Sequence, residues 1–408
     1  MKSLSPYRTT VASFSASKPR PSEAGSEYDA GEYILALASL HDAGPSTVDG
    51  ADGGLAAAAL SDHSVAIYDA SEGRVVRTIG GAHGGPISGL EFVPGAADGQ
   101  RPSRRHRVVS SSRDGTCRVW DAATGSPVAT LRLDREGESA LCLSVGYGGA
   151  LCAVGTDGAR VSFFDLRPGG DGTPSGSLMG SYVDAHTEGV NAVRFGEVSD
   201  PRDPSTTRTV LASAGEDGLA VIHDPSAPGE EEALVSVLNA GAPLRRVDFF
   251  GPSMEGLCCL TGNETASVHA WDAAQTVSDL GGAGLRRALS DAADAASGAV
   301  GRAGSDGGGG GGGEMSVEYL VGCTWTSLPP GGDRALHLLG GNSRGDGYLF
   351  RVDADRITPA LHLRGGHAGC IRDFCWIAAP DGGRRLVTGG EDARICEWDT
   401  EGGAAAAP

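Results

Sequence analysis

The stretch SSSRDGTCRVWDAATG, residues 110–125, contains a turn dipeptide, Asp114-Gly115, then the strand-like run Thr116 to Trp120, a closing Asp121 and a second turn ending in Gly125. Asp-Gly between two such runs is a tight hairpin signal, because the turn needs positive φ. The pattern is not local. It returns as SDHSVAIYD ending at Asp69, GTDGARVSFFD at Asp165, GEDGLAVIHD at Asp224, NETASVHAWD at Asp272, RGDGYLFRVD at Asp353 and GEDARICEWD at Asp399, seven copies in all. In five of them an aspartate stands seven residues before the closing one: Asp62, Asp114, Asp217, Asp346 and Asp392. In the third copy Asp157 stands eight before Asp165, which predicts a bulge there.

Separations between closing aspartates are 52, 44, 59, 48, 81 and 46 residues. A base period in the forties, lengthened by insertions, fits a unit of four short strands. In the second copy these are PISGLEF, RVVSSS, TCRVW and PVATL. A four-stranded sheet of that size cannot cover both its faces, so the units must stack and close into a ring. The first unit opens at YILALASL, residues 33–40, whereas only TEGGAAAAP follows Asp399. The seventh unit therefore lacks an outer strand, and RTTVASFSA, residues 8–16, is predicted to supply it and close the ring.

With Trp-Asp endings at residues 120–121, 271–272 and 398–399, the chain resembles the WD-repeat β-propellers over nearly its whole length. LRGGHAGCIRDFCW followed by LVTGGEDARICEW, and EYLVGCTWTS before them, are similar to the last blades of the WD repeat-containing protein 89 family. The resemblance implies an all-β, seven-bladed propeller over residues 31–400, with residues 1–20 carrying the closing strand. It also implies a buried chain of hydrogen bonds from an indole to a strand hydroxyl, an imidazole and a turn carboxylate. Two copies hold all four groups: Trp120, Ser110, His83 and Asp114, and Trp398, Thr388, His367 and Asp392. A further copy has Ser213, His186 and Asp217, with His223 where the Trp is expected.

Such trios mimic a hydrolase triad. A triad needs an exposed nucleophile beside an oxyanion pocket, whereas these hydroxyls lie inside strands and the trio recurs from copy to copy. No metal-ligand spacing or hydrolase elbow accompanies them. The expectation is a non-enzymatic protein-interaction scaffold without cofactor. An alternative rests on Asp165 and Arg167 in FFDLR, which resembles the Trp-Asp-x-Arg ending by which some WD proteins dock onto the adaptor of cullin-RING ubiquitin ligases; the competing reading is an ordinary surface arginine.

Composition bounds the partners. Of 408 residues, 40% are apolar and 21% charged, as in a soluble globular protein. A formal charge of −19 disfavours nucleic acid and anionic membrane, and no apolar run reaches the ~18 residues of a membrane helix. The expected partners are proteins, met by a monomeric ring within larger complexes. Nine cysteines without a C-x-x-C pair read as buried thiols in the reducing cytoplasm or nucleus. Lys2, Arg8, Lys18 and Arg20 among serines also have the composition of an organelle transit peptide, which competes with the closing strand for the same residues. Residues 95–106 and 197–208 read as loops. Residues 273–315, rich in Ala and Gly with a run of glycines at 307–313, read as a disordered insertion in which LRRALSDAADAASGAV could form a marginal amphipathic helix.

Overall fold

The computed structural model describes residues 2–6, 8–11, 33–40, 54–94, 106–169, 173–200, 203–280, 285–301, 316–328, 331–353, 356–379 and 383–400. Seven sheets follow one another along the chain, each with four antiparallel strands in sequence order from the centre outward, except that the seventh takes its outermost strand from the N-terminal residues. The first blade, for example, comprises Ile34–Ser39, Leu55–Leu60, Val65–Asp69 and Arg74–Ile79. Innermost strands of successive blades touch all the way round, the seventh meeting the first.

Period-2 alternation explains why the sheets stack. Along Val65–Asp69, Val65 and Ile67 face the second blade, while Ala66 and Tyr68 face the seventh. Each of the seven gaps between neighbouring blades is filled by its own apolar cluster. The core is thus distributed around the ring, and a blade removed from it would expose both faces.

Local chemistry repeats with the blades. In blades one to four the closing aspartate caps the turn after the third strand: Asp121 Oδ1 accepts the Ala123 and Thr124 N–H groups at 3.1 and 2.8 Å, and Asp69 Oδ1 accepts that of Ser71 at 2.8 Å. Every turn between second and third strands holds one residue with positive φ. Glycine takes that place at 115, 218 and 345, whereas His63, Ala159, Glu264 and Ala393 take it elsewhere. That turn in the third copy holds no extra residue, since Gly155 pairs with Val161 as Ser111 pairs with Cys117 in the second, and Asp157 merely stands one place earlier in it than Asp114 does in the second. The flanking strands pair without a register shift, Val154 with Ser162 as the next pair, so the expected bulge is absent there. Bulges occur instead near the start of each innermost strand, at one equivalent position in all seven blades.

The N-terminal residues close the ring twice over. Strand β2, Arg8–Val11, is the outer strand of the seventh blade, antiparallel to Arg394–Asp399 with Arg8 opposite Glu397. Strand β1, Lys2–Leu4, which the sequence reading did not foresee, adds a fifth, parallel strand to the sixth blade. Leu4 then joins the apolar cluster between blades six and seven. Residues 12–16 of the expected closing strand lie outside the described residues.

Two insertions differ from expectation. Residues 197–208 prolong a hairpin, Val190–Asp200 with Asp203–Gly215, rather than forming a loop. Within 273–315, Gln275–Asp279 is the fourth strand of the fifth blade and Leu285–Gly301 is a helix. Leu285, Leu289 and Ala293, spaced by four, bury one helical face between blades five and six. The marginal amphipathic helix read in LRRALSDAADAASGAV is thus formed, and its alanine-rich composition favours helix once tertiary packing covers that face. Residues 302–315, with the glycine run, and residues 95–105 lie outside the described residues.

Candidate functional site

The three expected hydrogen-bond sets assemble. In the second blade Trp120 Nε1 donates to Ser110 Oγ at 2.8 Å, and that hydroxyl lies 2.7 Å from His83 Nε2. His83 Nδ1 faces Asp114 Oδ2 at 3.1 Å, and the carboxylate accepts the N–H groups of Gly84 and Thr116 at 2.9 and 3.0 Å. These partners set the imidazole tautomer: Nδ1–H points to the carboxylate, and Nε2 accepts the hydroxyl proton. Burial holds His83 below its ordinary pKa, against the pull of Asp114. Burial also opposes ionisation of Asp114, but hydrogen bonds from the Thr116 hydroxyl and the Gly84 N–H prevail and bring its pKa down to about 2.

The seventh blade repeats the set. Trp398 Nε1 donates to Thr388 Oγ1 at 2.8 Å, His367 Nε2 lies 2.8 Å from the same oxygen, and His367 Nδ1 lies 3.0 Å from Asp392. In the fourth blade His186 lies 2.8 Å from Ser213 Oγ and 3.1 Å from Asp217. There His223 replaces the indole and stacks on Tyr182 at 4.5 Å, its Nδ1 unpartnered among the described residues. Ser110, Ser213 and Thr388 are all fully buried. Their hydroxyls are committed to the blade, and no substrate carbonyl reaches them.

Asp165 and Arg167 pair with each other. Arg167 Nε and Nη2 donate to the two oxygens of Asp165 at 2.9 and 2.7 Å. The guanidinium fork is therefore closed on its own strand end, although the side chain remains 65% exposed.

Sequence reading missed two polar clusters. The first sits at the bulge position of the innermost strands, which is occupied by Arg246, Gly322 and Asp373 in blades five to seven. Arg246 Nη1 donates to Asp373 Oδ1 at 2.9 Å and its Nε to Asp248 Oδ2 at 3.0 Å, with the guanidinium carbon 5.4 Å from the Phe374 ring centre. The other oxygen of Asp373 accepts the Leu37 N–H of blade one at 2.8 Å, and Arg194 of blade four lies 3.7 Å from Asp248. Charged residues inside a strand of otherwise apolar alternation, RRVDF and IRDF, were the available signal.

The second cluster lies between blades seven and one. Glu397 is fully buried where the equivalent residues are Val119 and Ile222; it accepts the Tyr68 hydroxyl and Arg385 Nη1, the latter at 3.2 Å. Arg8 of β2 stands 3.9 Å from Glu397 and donates to the Ala70 carbonyl at 2.8 Å. Burial, and then the bond to Glu397, push the Tyr68 hydroxyl far above its ordinary pKa, so it remains a donor. Among the described residues no group of three or more His, Cys, Asp or Glu is placed to hold a metal ion.

Comparison with known proteins agrees with this architecture. The pattern of the family described as WD domain, G-beta repeat matches residues 73–121. That span runs from the fourth strand of blade one through the third of blade two, so the repeat is offset from the blade by one strand. The offset is what obliges the N-terminal strand to complete the last blade. The chain is 25% identical over 345 residues to WD repeat-containing protein 89 homolog of Dictyostelium discoideum, covering 84% of this chain and 79% of that protein. It is 26% identical over 355 residues to WD repeat-containing protein GTS1 of Arabidopsis thaliana, covering 85% and 78% respectively. A likeness of 38% to Nuclear distribution protein PAC1 of Gibberella zeae spans 79 residues, 19% of this chain and 17% of that one. The chain is a seven-bladed WD-repeat β-propeller, closed by its N-terminal strands and similar over most of its length to WD repeat-containing protein 89 homolog.

Proposed function

We propose that the chain is a non-enzymatic scaffold that binds other proteins. The observation that carries this reading is where its polar and apolar groups lie. The trios that look catalytic are consumed inside the blades, whereas large apolar side chains stand exposed on the outer strands: Met179 on blade three, Leu234 and Val237 on blade four and Val277 on blade five. Exposed apolar residues on a rigid frame suit protein contact, and the net charge of −19 weighs against nucleic acid.

The reading includes a single ring acting within larger complexes in the cytoplasm or nucleus. Nine free thiols, eight of them buried, suit a reducing compartment. Arg8, one of the basic residues that also read as a targeting segment, is engaged in ring closure, which favours this compartment over an organelle. Docking onto a ubiquitin-ligase adaptor through Asp165 and Arg167 would require the fork to release its own carboxylate, and their mutual pairing weighs against that alternative.

The test is crosslinking in cells, purification of the intact chain and reconstitution with whatever partner is recovered in stoichiometric amount. Recovery of none, or turnover in generic ester and phosphoester assays, overturns the proposal.

A further inference from the structure

The outer edge of a blade can accept a further strand, and one blade already holds one. On the sixth, β1 runs parallel to Ile357–Leu363, with Lys2, Ser3 and Leu4 opposite Leu361, His362 and Leu363. The Arg364 N–H donates to the Leu4 carbonyl at 3.0 Å, and the Leu4 side chain enters the apolar cluster between blades six and seven.

Most other outer strands carry charge or proline: Arg74 and Arg77 in the first blade, Pro127 and Arg132 in the second, Asp279 in the fifth and Arg8 in the seventh. Such residues discourage another strand from adding. The third blade ends on LMGSY, with Gly180 at its middle. The fourth ends on Leu234–Asn239, LVSVLN, six residues without charge, proline or glycine, along which Leu234, Val235 and Val237 stand exposed. This strand is the last of its sheet and bears no fifth strand among the described residues.

The repeat identifies which of its residues match the β1 site. Pairing shifts between Pro359 and Leu361 in the sixth blade and between Leu234 and Ser236 in the fourth, so Ser236, Val237 and Leu238 match Leu361, His362 and Leu363, and Asn239 matches Arg364. Ala240 N–H donates back into the sheet, to the Gly218 carbonyl at 3.0 Å. By the two-residue period of a strand, the N–H groups of Val237 and Asn239 therefore face outward.

Charge narrows the occupant. Glu231 and Glu232 immediately precede the strand and are exposed, and Glu230 accepts the Val183 and Asp184 N–H groups at 2.7 and 2.8 Å, which brings Asp184 to the same place. No lysine or arginine occurs between Arg167 and Arg194 or between Arg208 and Arg245. Those four arginines each have a carboxylate already: Asp165, Asp248, Asp224 and Glu264 in turn. A second copy of the same edge would leave these acids unanswered.

We infer that the outer edge of blade four takes an extended segment of a partner protein as a fifth strand, parallel as β1 is on blade six. An apolar residue of that segment lies opposite Leu238, and a Lys or Arg within the five residues before it faces Glu231 and Glu232. Main-chain bonds to Val237 and Asn239 hold the segment, while the exposed aliphatic residues and the acids select its sequence. The inference deepens the scaffold reading above and rests on it.

The test pans a phage-displayed library of random twelve-residue peptides on the intact chain, then measures an enriched synthetic peptide by fluorescence anisotropy. Enriched sequences are expected to place Lys or Arg ahead of an apolar residue, with affinity falling about tenfold or more in Val237→Lys and in the double variant Glu231→Lys, Glu232→Lys. Val277→Lys, equally exposed but on blade five, should leave affinity unchanged. These positions are exposed, and the melting transitions should match that of the parent chain. Of two peptides N-methylated at alternate residues, one should lose binding and the other keep it, because an added strand uses every second N–H.

Failure to enrich any sequence, enriched sequences without basic residues, affinity indifferent to Val237→Lys, or equal tolerance of both methylation patterns would overturn the site. A change of oligomeric state in Val237→Lys would assign the edge to a second copy and overturn it too. Cellular partners that stay bound to Val237→Lys leave the scaffold reading standing while removing this edge from it. Recovery of no cellular partner by the parent chain, with peptide binding intact, would instead fault the scaffold reading alone.

Discussion

Arg246 in the fifth blade donates to Asp373 in the seventh at 2.9 Å, passing over the sixth blade. It can do so because the equivalent position in between is Gly322, where a Cβ would stand 3.0 Å from the guanidinium carbon and 2.8 Å from Phe374 Cε1. Asp373 then passes the link to the Leu37 N–H of the first blade. Three blades that do not all touch are tied through one ion pair at the centre of the ring.

This pair should be measurable as a coupling. Arg246→Met takes the cation from Asp373, while Asp248 keeps Arg194, and is expected to cost on the order of 1 to 3 kcal/mol, reduced from the buried-pair figure because the side chain is 31% exposed. Gly322→Ala crowds both Arg246 and Phe374 and should cost a similar amount, about 1 to 3 kcal/mol. In urea unfolding, the double variant with Asp373→Asn should be less destabilised than the sum of the singles. Strict additivity would show that the contact carries no energy.

Closure by β1 and β2 makes Lys2–Leu4 and Arg8–Val11 part of the last two blades. Their deletion uncovers the edge strands Ile357–Leu363 and Arg394–Asp399, removes Leu4 from its cluster and takes Arg8 from the Glu397 site. The expected loss is about 3 kcal/mol or more, from one buried leucine and the hydrogen bonds of two short ladders. Calorimetry of the truncated chain decides: an undiminished melting temperature would show that the ring holds without its N-terminal strands.

The turns offer a stabilising test. Ala393 and Ala159 adopt φ of 56° and 60° in the places where Gly115 and Gly218 sit in other blades. A left-handed alanine costs about 1 to 2 kcal/mol, and glycine's greater freedom in the unfolded chain returns part of that. Ala393→Gly should therefore raise stability by roughly 0.5 to 1 kcal/mol. A fall in the urea midpoint would mean that the alanine methyl makes contacts worth more than the strain.

The legibility of this protein divides along one physical line. Features that repeat were readable: Asp-Gly turns, the Trp, Ser or Thr, His and Asp sets, the seven periods, and the missing strand that Arg8–Val11 supplies. Each is dictated within a blade, where spacing in sequence becomes spacing in structure. Features that depend on two different blades were not. Glu397 could be seen as a charge where Val119 and Ile222 stand, but nothing in the sequence pointed to Tyr68 or Arg8 as its partners. Arg246 and Asp373 are 127 residues apart and meet only because all seven innermost strands bulge at the same place. The helix Leu285–Gly301 was legible only as a marginal amphipathic segment of a disordered insertion, because its stability comes from the surface that blades five and six provide for Leu285 and Leu289.

Acid should weaken the fold before its carboxylates titrate. Burial lowers the pKa of His223 to about 4, with His186 adding to the effect, and burial lowers that of His337 to about 4 as well. Because the folded pKa lies below the unfolded value of 6.5, the unfolded chain binds the extra proton first. The stability contributed by keeping each ring neutral is full above about pH 6.5 and is lost as pH falls towards 4, by about 3 kcal/mol per histidine. Asp114, with its folded pKa down at about 2, adds to acid unfolding from the ordinary carboxylate range downward, its contribution being lost as pH falls from its unfolded value of 3.8 towards 2. Urea midpoints at pH 7, 5.5 and 4.5 should therefore fall steeply, and His223→Phe, which keeps an aromatic ring against Tyr182, should flatten the fall. Equal slopes in the parent chain and His223→Phe would show that this histidine does not carry its share of the proton linkage.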